Sequence, residues 1–429
     1  MAWLRVRPSK LEGELTAPPS KSYTHRAFSI GLLADGRSKI LRPLISLDTQ
    51  STIDAVRTLG AELVESKGNW ETTGTGGKLR PRERVIDVKN SGTTLRFISA
   101  IAGLSPKPIR ITGDESILAR PMGPLVESLE KLGVKARCEG RRGRPPVVIG
   151  GGISGGEAQM TGTVSSQFIS ALLLACPYAQ EDVDLVVEEE PRSKPYIQMT
   201  LKVLQATEAK VRYNSSLTEF EIPGQQTFKP IEHEVPRDFS SAAFVLGGAA
   251  LTDSNVRVRG LDVHDVQGDK RILDLLREFG ADVKVEDKTI EVTGTGTLEG
   301  IDADCGGTPD LVPILAVLGA AADGRTTLTN IPHLRFKEVD RLRALSTELK
   351  KLGARVKELP DELQIRGTKQ LKGGKLSSYG DHRMAMALTV AGMAAKGETV
   401  VDGAESIPVS YPDFVKDLQK LGAQLEIQG

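Results

Sequence analysis

Two hydrophobic rhythms alternate along this chain. The first is a run of apolar and small residues with no polar face, as in AFSIGLLA (27–34) and VLGAAA (317–322), and it predicts a helix buried on all sides. The second is an apolar stripe of helical period that ends in Leu-Gly-Ala or a variant and passes into an alternating segment. It occurs as TLGAELVE, KLGVKAR, ATEAKVR, EFGADVKV, KLGARVKE and KLGAQLEI. Each copy predicts an amphipathic helix, a residue that turns the chain in the left-handed conformation, and a strand. The turning positions are Gly60, Gly133, Glu208, Gly280, Gly353 and Gly422, about 70 residues apart, a spacing that marks an internal repeat. At the third position Glu208 replaces glycine, which predicts a different cap there.

The buried-helix segments keep the same period and each leads into a β-rich stretch: LLADGRSKILRPL, AIAGLSPKPIRIT, LLACPYAQEDVDLVV, LGGAALTDSNVRVRG, VLGAAADGRTTLTNI and VAGMAAKGETVVDGA. The fold class is therefore α/β, built from six β-α-β-α-β-β repeats. The last repeat stops one strand short after AQLEIQG, and AWLRVRPSKLEG at the other end supplies it, so residues near Trp3 to Val6 are expected to complete the sixth copy. Three repeats per lobe puts a boundary in the proline-containing stretch IPGQQTFKPIEHEVP. The expected lobes are residues 18–231, and residues 1–17 with 232–429. The chain then passes between lobes near Thr16 and near Ile231, which predicts a hinge.

Charge narrows the function classes. With 56 basic and 56 acidic residues, no global field favours nucleic acid or an anionic membrane, so any anion site has to be built locally. Cys138, Cys176 and Cys305 are far apart and lack a zinc-type spacing, which predicts reduced thiols, no structural metal and a cytoplasmic setting. The start MAWLRVRPSK has no apolar signal core, and no apolar run reaches the length of a membrane span.

The candidate chemistry collects immediately before the buried helices, in PPSKSYTHR, KNSGTTLR, TVSSQF, VPRDFSS, GTPDLVP and GDHRMAM. Free backbone N–H groups at such starts favour anions, and Ser20 can cap the first. Ser22 and Arg26 are four residues apart and share a helix face beside Lys21. FKEVDRLRALSTEL places Lys337, Glu338 and Arg341 in the first turns of an amphipathic helix. Taken singly, these are also what capped helix starts and solvated charged faces look like. Their recurrence at equivalent ends of the repeats favours a shared cleft.

In order, SKSYTHR, NSGTTLR, ARPM, SSQF, SKPYI, PDLVP, KEVDRL and GDHRMAM resemble the 5-enolpyruvylshikimate-3-phosphate synthase family, also called 3-phosphoshikimate 1-carboxyvinyltransferases. The resemblance spans essentially the whole chain. It implies an inside-out α/β barrel of the enolpyruvyl transferase type, in which the 5-hydroxyl of shikimate 3-phosphate displaces phosphate from phosphoenolpyruvate through a tetrahedral adduct. No metal or organic cofactor is implied, and the partners are these two small molecules, with a monomeric protein and no nucleic acid or membrane. By resemblance, Lys21, Ser22, Arg26, Ser165, Ser166, Gln167, Ser193, Tyr196, Asp310 and Lys337 contact phosphoshikimate. Lys21, Gly92, Arg120, Gln167, Arg341 and Arg383 hold phosphoenolpyruvate. Asn90, Thr93, Arg96 and His382 support them, and Asp310, Glu338 and Lys21 handle protons.

The chain departs from the family pattern at Val409, where a lysine is common, and at His333, where an asparagine is common. An enolpyruvyl transferase acting on a UDP-linked amino sugar is the nearest alternative. It is disfavoured because SSQ and SKPY suit phosphoshikimate and because Cys138 lacks that family's loop context. RNA terminal-phosphate cyclases form a second alternative, against which stand the balanced charge and the few aromatic residues available for base stacking.

Overall fold

The computed structural model describes residues 2–162 and 165–429. Among the described residues there are six four-stranded sheets of one shared design. In the third repeat, Gly156–Met160 runs parallel to Val183–Val187, which pairs antiparallel with Glu219–Ile222, which in turn pairs with Arg212–Tyr213. A parallel pair needs a crossover, and the buried helix Ser166–Ala175 is that crossover. Val183–Val187 alternates buried and exposed residues, so one face of the sheet meets the helices and the other meets solvent.

Two repeats take their parallel strand from a distant part of the chain. Glu232–Glu234 pairs with Arg37–Leu41 in the first, and Glu12–Thr16 pairs with Asn255–Arg259 in the fourth. The sixth is completed by Trp3–Arg7, which lies between Thr399–Asp402 and Gln424–Gln428. The two compact lobes are Lys21–Val235, and Met1–Ser20 with Pro236–Gly429. Both boundaries differ from those expected at 17/18 and 231/232, because Glu232–Glu234 is hydrogen-bonded into the first repeat and Ser20 donates its amide to Pro236.

Within one lobe the helices Phe239–Leu251, Val312–Ala321 and His382–Ala394 pack together, and within the other Gly92–Ala102 packs on Lys21–Leu33 and on Ser166–Ala175. These central helices are buried nearly all round, as their apolar runs require. The cap at Glu208 corrects the sequence reading. Glu208 takes the same left-handed turn as the five glycines, with φ of 63°, and its carboxylate pairs with Lys229 Nζ at 2.7 Å. A side chain in that conformation costs about 1–2 kcal/mol relative to the right-handed region. The repeat therefore keeps its turn and accepts the strain.

Candidate active site

In the lobe Lys21–Val235, the helix Lys21–Leu33 starts at Lys21, whose Nζ lies 2.9 Å from Asp48 Oδ2. Asp48 is nearly buried near the start of Leu47–Thr58, a helix capped by Ser46. Its other oxygen accepts from Ser91 Oγ and lies 3.3 Å from His25 Nε2, while His25 Nδ1 is 2.7 Å from Thr52 Oγ1. Burial alone would raise the Asp48 carboxyl, but Lys21 and His25 hold it well below the usual carboxylate range. Burial pushes the His25 imidazole down. Asp48 is thus a fixed anion that orients the Lys21 ammonium. The sequence reading missed it because, within LISLDTQS, an aspartate early in a helix looks like an ordinary dipole partner.

The second buried helix of this lobe, Gly92–Ala102, brings Gly92 against two guanidinium groups. A Cβ added at Gly92 would overlap Arg120 Nη1 and lie 2.5 Å from Arg96 Nη1. Arg96 Nη1 also donates to the Gly92 carbonyl at 2.9 Å. Gln167, from the third buried helix, donates Nε2 to Thr93 Oγ1 at 3.0 Å, and Ser165 caps that helix by accepting from the Gln167 amide. Gly92, Thr93, Arg96, Arg120 and Gln167 therefore converge, with Ser165 and the buried Ser166 at the same helix start. Asn90 lies in the turn just before Gly92.

Arg26 is placed differently from a ligand-facing cation. The residue is 2 % exposed, and its guanidinium donates to the carbonyls of Ser22 at 2.8 Å and Tyr196 at 2.6 Å and to Thr200 Oγ1 at 2.8 Å. It thereby ties Lys21–Leu33 to Lys194–Ala206, the helix headed by Ser193 and carrying Tyr196. Ser193 has a left-handed backbone, φ 57°, and is buried; Ser22 is half-buried. Thr163 and Val164, part of the TVSSQF motif, lie outside the described residues.

The other lobe holds a denser network. The helix reading of KEVDRL needs correction: the helix is Arg341–Lys351, capped by Asp340, whose carboxylate accepts from the Arg343 amide at 3.2 Å. Lys337 and Glu338 precede it in an irregular segment after the 3-10 turn Pro332–Phe336. Arg341 is buried and donates Nε to Asp381 Oδ2 at 2.7 Å, Nη2 to Glu338 Oε2 at 2.9 Å and Nη1 to Asp310 Oδ1 at 3.3 Å. Arg383 Nη2 meets the other oxygen of Asp310 at 2.7 Å. Burial would favour a neutral guanidine, yet Asp381, Glu338 and Asp310 keep Arg341 charged, with its pKa raised. Asp381, fully buried, also caps His382–Ala394 by accepting from the Arg383 and Met384 amides. The sequence reading gave it no role, although it stands inside the GDHR motif. His382 and His333 are buried, and Val409 is buried in the 3-10 segment Ala404–Val409.

Below this network lies Asp269, buried, accepting from Ser240 Oγ. Burial first, then the charge of Asp310, pushes its carboxyl up to about 7. The folded chain thus retains a proton that the unfolded chain releases near pH 4, so the stability this group contributes is full below about pH 4 and falls as pH rises through 7. Asp269→Asn is expected to remove that slope. Urea unfolding of the variant and the parent should diverge between pH 5 and 8 in favour of the variant. A difference independent of pH would refute the assignment.

Known proteins resemble this one along nearly the whole chain. The family model described as EPSP synthase (3-phosphoshikimate 1-carboxyvinyltransferase) matches residues 6–418. Similar curated proteins include 3-phosphoshikimate 1-carboxyvinyltransferases of Methanocella arvoryzae, 46% identical over 425 residues covering 99% of each chain, and of Methanocaldococcus jannaschii, 42% identical over 424 residues covering 98% of each. A solved EPSP synthase from Acinetobacter baumannii superposes with a TM-score of 0.84 over 100% of both chains at 27% identity. Six repeats of one design, basic helix starts and matches of this length place the chain in the EPSP synthase (3-phosphoshikimate 1-carboxyvinyltransferase) family.

Proposed function

We propose that the residues described above carry out this family's enolpyruvyl transfer in the shikimate pathway. The 5-hydroxyl oxygen of shikimate 3-phosphate bonds to C2 of phosphoenolpyruvate as C3 takes a proton and the hydroxyl proton leaves. The tetrahedral adduct then loses a proton from C3 and expels inorganic phosphate, leaving the carboxyvinyl ether. The observation that carries the reading is the network of Asp310, Glu338, Arg341 and Arg383. It sets two carboxyl groups, suited to moving protons, beside two guanidinium groups, suited to gripping a carboxylate or phosphate.

Both substrates are highly negative, each with a carboxylate and a phosphate. Lys21, Arg120, Arg341 and Arg383 offset that charge on phosphoenolpyruvate, with Gly92 leaving room for close approach and Gln167 beside it. Ser165, Ser166 and Ser193 take the shikimate phosphate, Lys337 and Asp310 the ring hydroxyls, and Ser22 and Tyr196 complete that side. Arg26 supports Tyr196 from beneath, as its bonds to the Tyr196 and Ser22 carbonyls suggest. The enzyme is read as a cytoplasmic monomer without nucleic-acid partners; among the described residues no helix is long and apolar enough to cross a membrane.

The test is release of inorganic phosphate from phosphoenolpyruvate with shikimate 3-phosphate as acceptor, run beside UDP-N-acetylglucosamine. Phosphate released only with the amino sugar would overturn the reading. A second expected outcome concerns Gly92→Ala. The new Cβ displaces the tips of Arg120 and Arg96, which are flexible, so the fold holds while the phosphoenolpyruvate grip weakens. Loss of one charge-assisted hydrogen bond, about 1.5–3 kcal/mol, corresponds to a roughly 10- to 100-fold rise in KM for phosphoenolpyruvate. An unchanged KM would separate Gly92 from that subsite.

A further inference from the structure

Arg335 is assigned no part in the site above, yet its side chain is tied at every nitrogen. Nε donates to the Pro360 carbonyl at 2.8 Å, Nη2 to the Leu359 carbonyl at 2.6 Å, and Nη1 to Asp340 Oδ2 at 2.7 Å and Glu358 Oε1 at 2.8 Å. Asp340 is the cap of the helix Arg341–Lys351. Glu358, Leu359 and Pro360 form the turn that leaves strand Arg355–Glu358 and leads to Leu363–Arg366, closed by the Leu359 amide on the Glu362 carbonyl at 2.9 Å. The other end of the 3-10 segment is fastened to the same turn, since the Ile331 amide donates to the Asp361 carbonyl at 2.9 Å.

These bonds close a short ring. Arg335 and Asp340 are its clasp, and between them run Phe336, the last residue of the 3-10 turn, and Lys337, Glu338 and Val339, which have no helix or strand of their own. Glu338 is gripped from the helix side by Arg341. The sheet turn, the helix cap and the reactive segment are thus joined through one guanidinium.

We propose that Arg335 is a positioning residue for this reaction: its fork clasps Asp340 to the Glu358–Pro360 turn and so fixes where Lys337 and Glu338 stand. The proposal rests on the functional reading above. Proton transfer is sensitive to placement, and an error of about 1 Å in a catalytic group costs about 100-fold in rate. A lysine at 335 supplies the charge but not the planar fork that reaches two carboxylates and two carbonyls together.

The test compares the full-length parent with Arg335→Ala, Arg335→Lys and Glu358→Gln. Arg335→Ala is expected to lower kcat by about 100-fold while KM for phosphoenolpyruvate stays within about 3-fold, because Arg341 keeps Asp381 and Asp310 and Arg383 keeps Asp310, all outside the released segment. Arg335→Lys should recover no more than about a tenth of parental kcat, and Glu358→Gln should lose a few-fold. Amide hydrogen exchange over 336–339, read without substrate, should speed up at least about 10-fold in Arg335→Ala while the buried helices stay protected. Parental kcat and parental exchange in Arg335→Ala would overturn the proposal. If that variant fails to fold, parental kcat in both Arg335→Lys and Glu358→Gln overturns it equally. A parent that releases no phosphate refutes the functional reading instead, and the exchange comparison still decides the clasp.

Discussion

Glu338→Gln is expected to lower kcat by about 10²- to 10⁴-fold, the range associated with losing a positioned acid or base. Glutamine keeps the oxygen that accepts from Arg341 Nη2 at 2.9 Å, so the guanidinium should hold its place, and Glu338 is only partly buried. What disappears is the capacity to take and return a proton. Phosphoshikimate binding, measured by titration calorimetry, should persist, because the hydroxyl, amide and cation groups assigned to it are untouched. Turnover within about 3-fold of the parent would remove Glu338 from proton transfer and leave Asp310 and Lys21 as the candidates.

Arg341→Met is the substitution with the largest expected effect on folding. The guanidinium faces Asp381, Glu338 and Asp310, and Asp381 is wholly shielded from water. Removing one partner of a buried ion pair leaves the other uncompensated, at about 3–5 kcal/mol, a large part of the ~5–15 kcal/mol that stabilises a domain. The melting midpoint should fall by on the order of 10 °C, and phosphate release should drop below detection. Adding Asp381→Asn to Arg341→Met should recover much of the stability and none of the activity, since it removes the stranded charge without restoring the grip. Recovery of both would mean the network serves folding alone. No loss of stability in the single variant would show that the carboxylates find another cation.

The legibility of this protein differs between its scaffold and its site. The six repeats could be read because a buried helix and an amphipathic helix carry different hydrophobic periods, and because the turn between helix and strand demands the left-handed region. Even Glu208, read as an exception, obeys that demand. The missing strand of the sixth repeat was legible by counting, and Trp3–Arg7 fills it. The long-range pairings of Glu12–Thr16 and Glu232–Glu234 were not, since such short segments pair in a sheet through backbone groups that their side-chain pattern does not encode. The lobe boundaries shifted by a few residues for the same reason.

For the site, motifs marked which residue types collect at helix starts, but not which ones face inward. Arg26 and Arg120 look alike in sequence. In the fold, Arg26 spends its donors on Tyr196, Ser22 and Thr200, while Arg120 stands over Gly92. Lys337 and Glu338 look helical by spacing, and the Asp340 cap excludes them from the helix. Asp48, Asp269 and Asp381 drew no role from the sequence reading because a single carboxylate near a helix start is common. Burial beside specific cations or another carboxylate is what makes each of them consequential.

The sequence by itself therefore determined the repeat, the fold class and the chemical inventory at the helix starts, because periodicity and turn chemistry are local properties. Only the tertiary structure decided which distant strands pair, which arginine is a strut and which stands at Gly92, and which carboxylates lie beyond the reach of water. Those outcomes depend on distances between residues far apart in the chain, and on how much solvent is left between their charges.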